Sequence, residues 1–229
     1  NNTSVNSSDN SLTKEIDLLK RLLQPATGFN FTSTKVNPVS NIVLKRAKPT
    51  DSLTPEAYKI SVGTKHIEIT AADASGFFNA FQTLLQLLPA DIYSDKTVKN
   101  KTWEIQNIQL YDKPAFHWRG AMLDVSRQFY TINDIKKHIN WMAAHKLNIF
   151  HLHLTDDEGW RIEIKGFPKL TEIGAWNVKK VGEFGDFIPP KADEIRDYGG
   201  FYTQEDIREQ VQFAKDRFIN ILPEVDVPG

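Results

Sequence analysis

The segment KLNIFHLHLTDDEGW, residues 146–160, decides the fold. It begins with an apolar, partly alternating run whose length suits a strand of a parallel sheet. The run leads into three consecutive carboxylates, Asp156, Asp157 and Glu158. Because each of them raises the free-energy cost of ionising its neighbours, such a cluster lies either in solvent or in a functional site.

The sequence on both sides of this segment repeats its pattern. RGAMLDV (119–125) and FINILPEV (218–225) are also short apolar runs. Between the three runs, Thr131 and Thr203 each open a T-x-x-D sequence followed by apolar residues at helical spacing, which predicts two capped helices. Alternating strands and helices are typical of parallel β/α units, which wind into a doubly wound sheet or a barrel. Residues 115–229 are therefore predicted to be α/β.

The first half of the chain has a different pattern. Helical spacing of apolar residues, ended by proline, predicts two helices, at 12–24 and 74–89. Short β-branched or alternating runs predict four strands, at 41–45, 57–62, 66–70 and 104–110. This half is predicted to be a small α+β layer domain over residues 12–114. The Asn/Ser-rich residues 1–11 are predicted to be a mobile, disordered lead-in.

Composition excludes several classes of protein. The 28 basic and 29 acidic side chains give a net charge of −1, so no general attraction to nucleic acid is expected. No apolar run approaches the ~20 residues that span a bilayer. The absence of cysteine excludes disulfides and thiolate metal sites. Because the chain begins at Asn1, without Met or a signal-peptide pattern, it is expected to be a processed or trimmed product.

Polar side chains follow all three predicted strands of the second half. These are Asp124, Ser126 and Arg127 after the first strand, Asp156, Asp157 and Glu158 after the second, and Glu224 and Asp226 after the third. In a barrel the carboxyl ends of the strands converge on one mouth, where catalytic groups collect. The sequence therefore predicts a shared site that contains these residues.

Two further patterns allow more than one interpretation. His151 and His153 are two residues apart and share one face of a strand, so they could be metal ligands or a packed, hydrogen-bonded pair. The packed pair is favoured, because a metal site normally needs three or four ligands. Trp160 and Trp176 could be apolar anchors or platforms that stack on a sugar ring. No chemistry is assigned to Asp193-Glu194, which lies in a run of mixed charges.

The order of the motifs resembles one enzyme family. RGAMLDVSRQFYT, KLNIFHLHLTDDEGWRIEIKGFPKLTEIGAW, YGGFYTQEDIRE and FINILPEVDVPG are similar to the β-N-acetylhexosaminidases of glycoside hydrolase family 20. The resemblance runs from about Phe116 to Gly229, and the preceding region is similar to the small non-catalytic α+β domain of that family. It implies the start of a (β/α)8 TIM-type barrel, which here ends after about the third strand.

The resemblance also implies a reaction. Enzymes of this family remove terminal β-linked N-acetylglucosamine or N-acetylgalactosamine, and the 2-acetamido oxygen of the sugar is the nucleophile. The expected partner is an amino-sugar oligosaccharide or glycoconjugate, with no nucleic acid, no membrane span and no cofactor. The expected location is extracytoplasmic.

Three residues match functional positions of the family. Arg127 in DVSRQF matches the arginine that binds sugar hydroxyls, a task that suits the fixed fork of a guanidinium. Asp156 in LTDDEGW matches the carboxylate that orients a histidine, which in turn supports the general acid. Asp226 in PEVDVPG matches another active-site aspartate.

Other functional positions of the family have no match in this sequence. The relay histidine of the family directly follows D-x-P-G, and the sequence stops at Gly229. The adjacent Asp-Glu pair that orients the acetamido group and supplies the general acid also lacks a counterpart. The 229 residues are therefore expected to be inactive alone, and the missing C-terminal part is expected to supply the rest of the barrel. A non-catalytic carbohydrate-binding protein on the same scaffold is the main alternative, and a metal-dependent hydrolase that uses His151 and His153 is a weaker one.

Overall fold

The computed structural model of the chain describes residues 2–32, 41–179 and 191–227. Contacts divide the chain into two compact units, Asn1–His117 and Trp118–Gly229. Within the described ranges, no helix combines the length and the apolar character needed to cross a membrane.

The first unit is built on a six-stranded sheet with the order β2-β1-β3-β5-β4-β6. Its strands are β1 (Asn2–Asn6), β2 (Asn30–Thr32), β3 (Asn41–Arg46), β4 (Tyr58–Val62), β5 (His66–Ala71) and β6 (Ile108–Asp112). β1 pairs in parallel with both β2 and β3, and β3 pairs in parallel with β5. β4 is antiparallel to β5 and β6. The sheet is therefore mixed, as expected for an α+β layer domain.

Two helices provide the apolar layer that packs with this sheet. They are α1 (Thr13–Thr27) and α2 (Ala74–Leu87), and three short 3₁₀ turns lie at Asn10–Leu12, Pro49–Asp51 and Ala90–Tyr93. The Asp73 side chain caps α2 by accepting the Gly76 N–H at 2.7 Å. The core contains Leu19 of α1, Phe77 and Phe81 of α2, and Leu44 of β3.

Helix α1 ends later than its sequence predicts. It contains Pro25 and ends at Thr27, where Gly28 adopts a left-handed conformation and donates its N–H to Gln24 O. The prediction that Pro25 ends the helix was wrong by two residues. A proline in the last turn removes only one N–H donor, so the helix can include it where Gly28 provides the cap.

The first residues of the chain form a strand inside the sheet, in contrast to the predicted mobile lead-in. β1 lies between β2 and β3, and Val5 pairs with Ile42 and is completely buried. The Asn/Ser-rich composition concealed this strand, because only Val5 provides an apolar side chain to the core. The backbone of β1 is held in place by parallel hydrogen bonds to β2 on one side and β3 on the other.

The second unit contains a three-stranded parallel sheet with the order β13-β8-β7. Its strands are β7 (Gly120–Asp124), β8 (Ile149–His153) and β13 (Asn220–Glu224). The helices α3 (Ile132–Ala144) and α5 (Gln204–Lys215) connect them in the predicted alternation. Thr131 and Thr203 cap these helices as predicted, and each side chain accepts an N–H from the aspartate three residues on.

The long segment between β8 and α5 contains several short elements. They are β9 (Thr155–Asp156), β10 (Gly159–Trp160), α4 (Lys169–Glu172), β11 (Trp176–Asn177) and β12 (Tyr198–Gly199). β9 and β10 form a tight antiparallel hairpin that contains the acidic cluster, and β11 pairs with β12. Residues 180–190 of this segment lie outside the described residues.

The position of β1 leads to a stability prediction. Val5→Ala removes two buried carbon atoms, so it should lower the free energy of unfolding of the first unit by about 2 kcal/mol. Val227→Ala, at a side chain that is 79% exposed, is the control and should have no effect. Urea unfolding followed by tryptophan fluorescence measures both variants. A mobile lead-in would instead make Val5→Ala as silent as the control.

Candidate active site

Parallel pairing brings the ends of three strands into one row. Asp124 of β7 is directly opposite His153 of β8, and Glu224 of β13 is opposite the same histidine. In the row before it, Met122 and Leu222 flank His151. Because side chains alternate between the faces of a strand, both rows belong to one face of the sheet. The opposite face carries Phe150, whose ring contacts His138 of α3.

Asp124 places Arg127 at this strand end. One carboxylate oxygen of Asp124 accepts the backbone N–H groups of Ser126 at 2.9 Å and Arg127 at 3.0 Å, which turns the chain sharply after β7. The other oxygen accepts Nη1 of Arg127 at 3.0 Å. The same carboxylate therefore fixes both the backbone and the guanidinium of Arg127.

Two carboxylates of the acidic cluster complete the surroundings of Arg127. Asp156 Oδ2 lies 2.5 Å from Nη1, and Glu158 Oε2 lies 3.0 Å from Nε. Burial alone would lower the pKa of Arg127, but the charges of Asp124, Asp156 and Glu158 raise it on balance. The first and third residues of the cluster thus face an arginine, whereas the side chain of Asp157 is exposed.

His153 joins this group to the third strand. Its Nε2 lies 3.0 Å from Asp156 Oδ2, and its Nδ1 lies 2.7 Å from Glu224 Oε2. Burial lowers the pKa of His153, but hydrogen bonds to Glu224 and Asp156 and nearby negative charge raise it on balance. In its protonated form the imidazole can donate to both carboxylates, and in its neutral form Nε2 can accept from Arg127 Nη1, which lies 3.1 Å away. Glu224 Oε2 also lies 2.6 Å from His151 Nε2, so one oxygen serves both histidines.

The pKa values of Asp156 and Glu224 shift downward, opposite to that of His153. Burial raises the pKa of Asp156, but the Asp157 N–H, His153 and the charge of Arg127 lower it on balance. Hydrogen bonding to His153 lowers the pKa of Glu224 against the effect of burial, and His151 adds to this. Asp156 and Glu224 are thus stabilised in the ionised form.

The backbone of Asp226 binds Thr155, the residue before Asp156. Its N–H donates to Thr155 Oγ1 at 2.8 Å, and its carbonyl accepts that hydroxyl at 3.1 Å. Ligand atoms of His153, Asp156 and Asp226 all lie within 4.8 Å of one another. Arg127, Asp156 and Asp226, which the sequence places in one site, are therefore gathered at one end of the sheet.

The structure also shows how the ambiguous residues are used. His151 and His153 both contact Glu224 Oε2; His153 is buried, and His151 is partly exposed. Trp160 donates its indole N–H to Ile162 O at 2.7 Å, as an anchor would. In the pair Asp193-Glu194, the Glu194 carboxylate accepts the backbone N–H of Lys191.

Sequence reasoning left two contributions to the site undefined. It placed Glu158 among the strand-end acids without naming a partner, and this side chain pairs with Arg127. It gave no role to Arg161, which is completely buried and donates four hydrogen bonds to backbone carbonyls. An arginine inside the otherwise apolar and glycine-flanked run G-W-R-I is the signal that could have revealed it.

Comparison with known families identifies the scaffold. The family model described as "Glycosyl hydrolase family 20, catalytic domain" matches residues 116–229, and "Glycosyl hydrolase family 20, domain 2" matches residues 1–113. The chain belongs to glycosyl hydrolase family 20. The candidate site lies entirely within the part that matches the catalytic domain.

Named relatives of the family 20 chain agree with this assignment. A β-hexosaminidase of Porphyromonas gingivalis is 44% identical over 77% of this chain and 21% of its own length. A β-hexosaminidase of Vibrio furnissii is 44% identical over 83% of this chain and 29% of its own length. The chain thus spans less than a third of these two relatives.

Solved structures agree as well. The GH20 β-N-acetylhexosaminidase from Streptomyces coelicolor A3(2) superposes with a TM-score of 0.82 at 34% identity, covering 99% of this chain and 42% of that one. A GH20 exo-β-N-acetylglucosaminidase from Vibrio harveyi, solved in complex with N-acetylglucosamine, superposes with a TM-score of 0.78 at 41% identity, covering 99% and 33%. Domain 2 followed by part of the catalytic domain is therefore the architecture of this family 20 chain.

The contacts of His153 give a pH prediction. Because its pKa is raised on folding, protonation of His153 stabilises the fold below about pH 6.5, and this stabilisation is lost as pH rises through the folded-state pKa. Glu224→Gln removes one of the charges that raise the pKa, so the pKa of His153 should fall. NMR titration of the imidazole measures this shift. Asp157→Asn, at an exposed side chain, is the control, and an unchanged pKa in Glu224→Gln would contradict the assignment.

Proposed function

We propose that this chain is part of an exo-acting β-N-acetylhexosaminidase that removes terminal β-linked N-acetylglucosamine or N-acetylgalactosamine. The observation that carries the proposal is Arg127, held by three carboxylates at the converged ends of parallel strands in a family 20 catalytic domain. Relatives with β-hexosaminidase names over most of this chain support it. The substrate is then an amino-sugar oligosaccharide or glycoconjugate.

The fold of the complete catalytic domain is part of the proposal. The parallel sheet of β7, β8 and β13 would be the start of a (β/α)8 barrel, and the remaining strands would come from sequence beyond these 229 residues. One face of this sheet supports the proposal. Met122 is 56% exposed and Leu222 is 44% exposed beside His151, as expected of positions that face a barrel interior.

Arg127 is proposed to bind hydroxyl groups of the terminal sugar. Its Nη1 donates to Asp124, and Asp156 and Glu158 form ion pairs with Nη1 and Nε, so the guanidinium is oriented before a sugar arrives. A group that is oriented in advance loses less conformational entropy on binding. Asp156 and Asp226 are proposed to have supporting roles, and Asp156 would orient a histidine that assists the general acid.

The proposed reaction is substrate-assisted and retains the anomeric configuration. The acetamido oxygen of the sugar forms a bond to the anomeric carbon while the bond from that carbon to the leaving oxygen breaks. A general acid gives its proton to the leaving oxygen. Water then attacks the anomeric carbon and opens the oxazolinium intermediate. The carboxylate of the same acid takes a proton from this water and returns to its protonated form.

We propose that the 229 residues alone do not complete this reaction. Their two Asp-Glu pairs are engaged elsewhere, since Glu158 pairs with Arg127 and Glu194 accepts a backbone N–H. Loss of a positioned general acid typically costs about 10²–10⁴-fold in rate. The same observations favour, as a second candidate, a carbohydrate-binding protein that keeps Arg127 without catalysis.

Hydrolysis of 4-nitrophenyl N-acetyl-β-D-glucosaminide tests the proposal. The 229-residue chain should be inactive, and the chain extended to its natural stop codon should release 4-nitrophenol. Activity of the short chain, with contaminating enzyme excluded, would contradict the assignment of the acid. If the extended chain binds N-acetylglucosamine but releases no 4-nitrophenol, the second candidate replaces the first.

The role of Arg127 gives a separate prediction. Arg127→Lys in the extended chain removes the planar fork but keeps the charge, so kcat/KM should fall by about 10- to 100-fold, the value of a hydrogen bond to a charged group. Steady-state kinetics with the same substrate measures the loss. Arg208→Lys is the matched control, because this arginine of α5 is 64% exposed. Equal kinetics for the two variants would remove Arg127 from substrate binding.

A further inference from the structure

Arg161 is a cation in the interior of the second unit. It is completely buried, and all its hydrogen-bond partners among the described residues are backbone carbonyls. Nε donates to Val125 O at 3.0 Å, and Nη2 donates to Ser126 O at 2.7 Å. Nη1 donates to Ala175 O at 2.5 Å and to Gly200 O at 3.2 Å.

A buried guanidinium is costly unless its surroundings replace water. Removing a cation from water carries a large free-energy penalty, which here must be offset by carbonyl dipoles. Burial lowers the pKa of Arg161 despite the nearby phenols and carboxylates. A side chain that only filled space would not need a charge. The four carbonyls around the guanidinium therefore indicate a role beyond packing.

Two of the four carbonyls belong to the segment that leads into the candidate site. Val125 and Ser126 are the two residues that lead directly to Arg127. Ser126 Oγ in turn donates to Gly159 O at 2.8 Å, which fixes the residue that follows Glu158. Arg161 and Ser126 therefore connect the backbone on both sides of the Arg127–Glu158 pair.

The other two carbonyls lie at the base of a hairpin. Ala175 immediately precedes β11, and Gly200 immediately follows β12. Gly200 N–H also donates to Ala175 O at 3.1 Å. One guanidinium thus joins the base of this hairpin to the backbone before Arg127.

Glycine provides the space that this guanidinium occupies. A Cβ atom at Gly159 would lie 2.3 Å from the Arg161 Cζ, so an alanine there must displace the guanidinium. Gly199 has φ +150°, and a Cβ there would lie 2.0 Å from Ala175 O and 2.9 Å from Arg161 Nη1. The glycine of the DEGWR motif is therefore explained by this buried side chain, whereas Gly199 is required mainly by the Ala175 backbone.

We infer that Arg161 is a positioning residue for the sugar-binding arginine, acting through the carbonyls of Val125 and Ser126. The inference rests on the proposed function, in which Arg127 binds the terminal sugar. Because Arg161 is completely buried, it is placed to act through the backbone. It fixes the backbone from which Arg127 extends and, through Ser126 and Gly159, the backbone next to Glu158.

Gly159→Ala in the extended chain tests this inference without removing any charge. The displaced guanidinium should release the Val125 and Ser126 carbonyls, and KM for 4-nitrophenyl N-acetyl-β-D-glucosaminide should rise by about 10-fold, as expected for a binding group that is misplaced by a fraction of an ångström. Gly166→Ala is the matched control, because nothing lies within 4 Å of its Cβ. A purely structural role would instead lower kcat with the folded fraction and leave KM unchanged.

A double-mutant cycle identifies the route of the effect. In an Arg127→Lys background, Gly159→Ala should change KM by less than about twofold, since residues that act as a unit are not additive. Arg161→Lys should behave like Gly159→Ala in both backgrounds. Fully multiplicative effects, or an unchanged KM in both variants, would overturn the inference.

An NMR measurement separates this inference from the proposed function. In the 229-residue chain, the Arg127 Nε–H resonance should shift in Gly159→Ala and stay in place in Gly166→Ala. If the extended chain neither hydrolyses nor binds the substrate while the resonance shifts, the proposed function fails and the structural link stands. If the substrate is hydrolysed and neither the resonance nor KM responds, Arg161 has no positioning role.

Discussion

Parallel pairing of β8 with β7 on one side and β13 on the other fixes which side chains meet at the end of the second sheet. The register sets Asp124, His153 and Glu224 side by side. A slip of one residue in either pairing would move a carboxylate to the opposite face and bring an apolar side chain into its place. The contacts of Arg127 with Asp156 and Glu158, and those of both histidines with Glu224, join different strands and therefore depend on this alignment.

The charges of the site form two groups that share His153. In one group, Arg127 faces the carboxylates of Asp124, Asp156 and Glu158. In the other, Glu224 lies between two imidazoles. Consecutive acids, which repel one another in isolation, become compatible because the first and third point to the same guanidinium. The pKa of Asp156 is accordingly low, and that of Arg127 is high.

The sequence was sufficient to predict an element where its local residue pattern agrees with the environment in the folded chain. The caps at Thr131 and Thr203 and the strands around Asp124 and Glu224 have such patterns, and so the site residues could be placed at strand ends. β1 could not be predicted, since a strand with one apolar residue is ordered by its two neighbours in the sheet. The run G-W-R-I marks Arg161 as unusual, but the contacts that it makes could not be predicted. Its partners are backbone carbonyls from residues 14 to 39 positions away, and a carbonyl has no sequence signature.

The closed base of the β11–β12 hairpin has a consequence for how this scaffold can diversify. Since Ala175 and Gly200 are bound to the same buried guanidinium, these two positions and the backbone next to Arg127 share one side chain. A change at Ala175 or Gly200 would therefore reach the candidate site through Arg161, and these distant positions are constrained to change together.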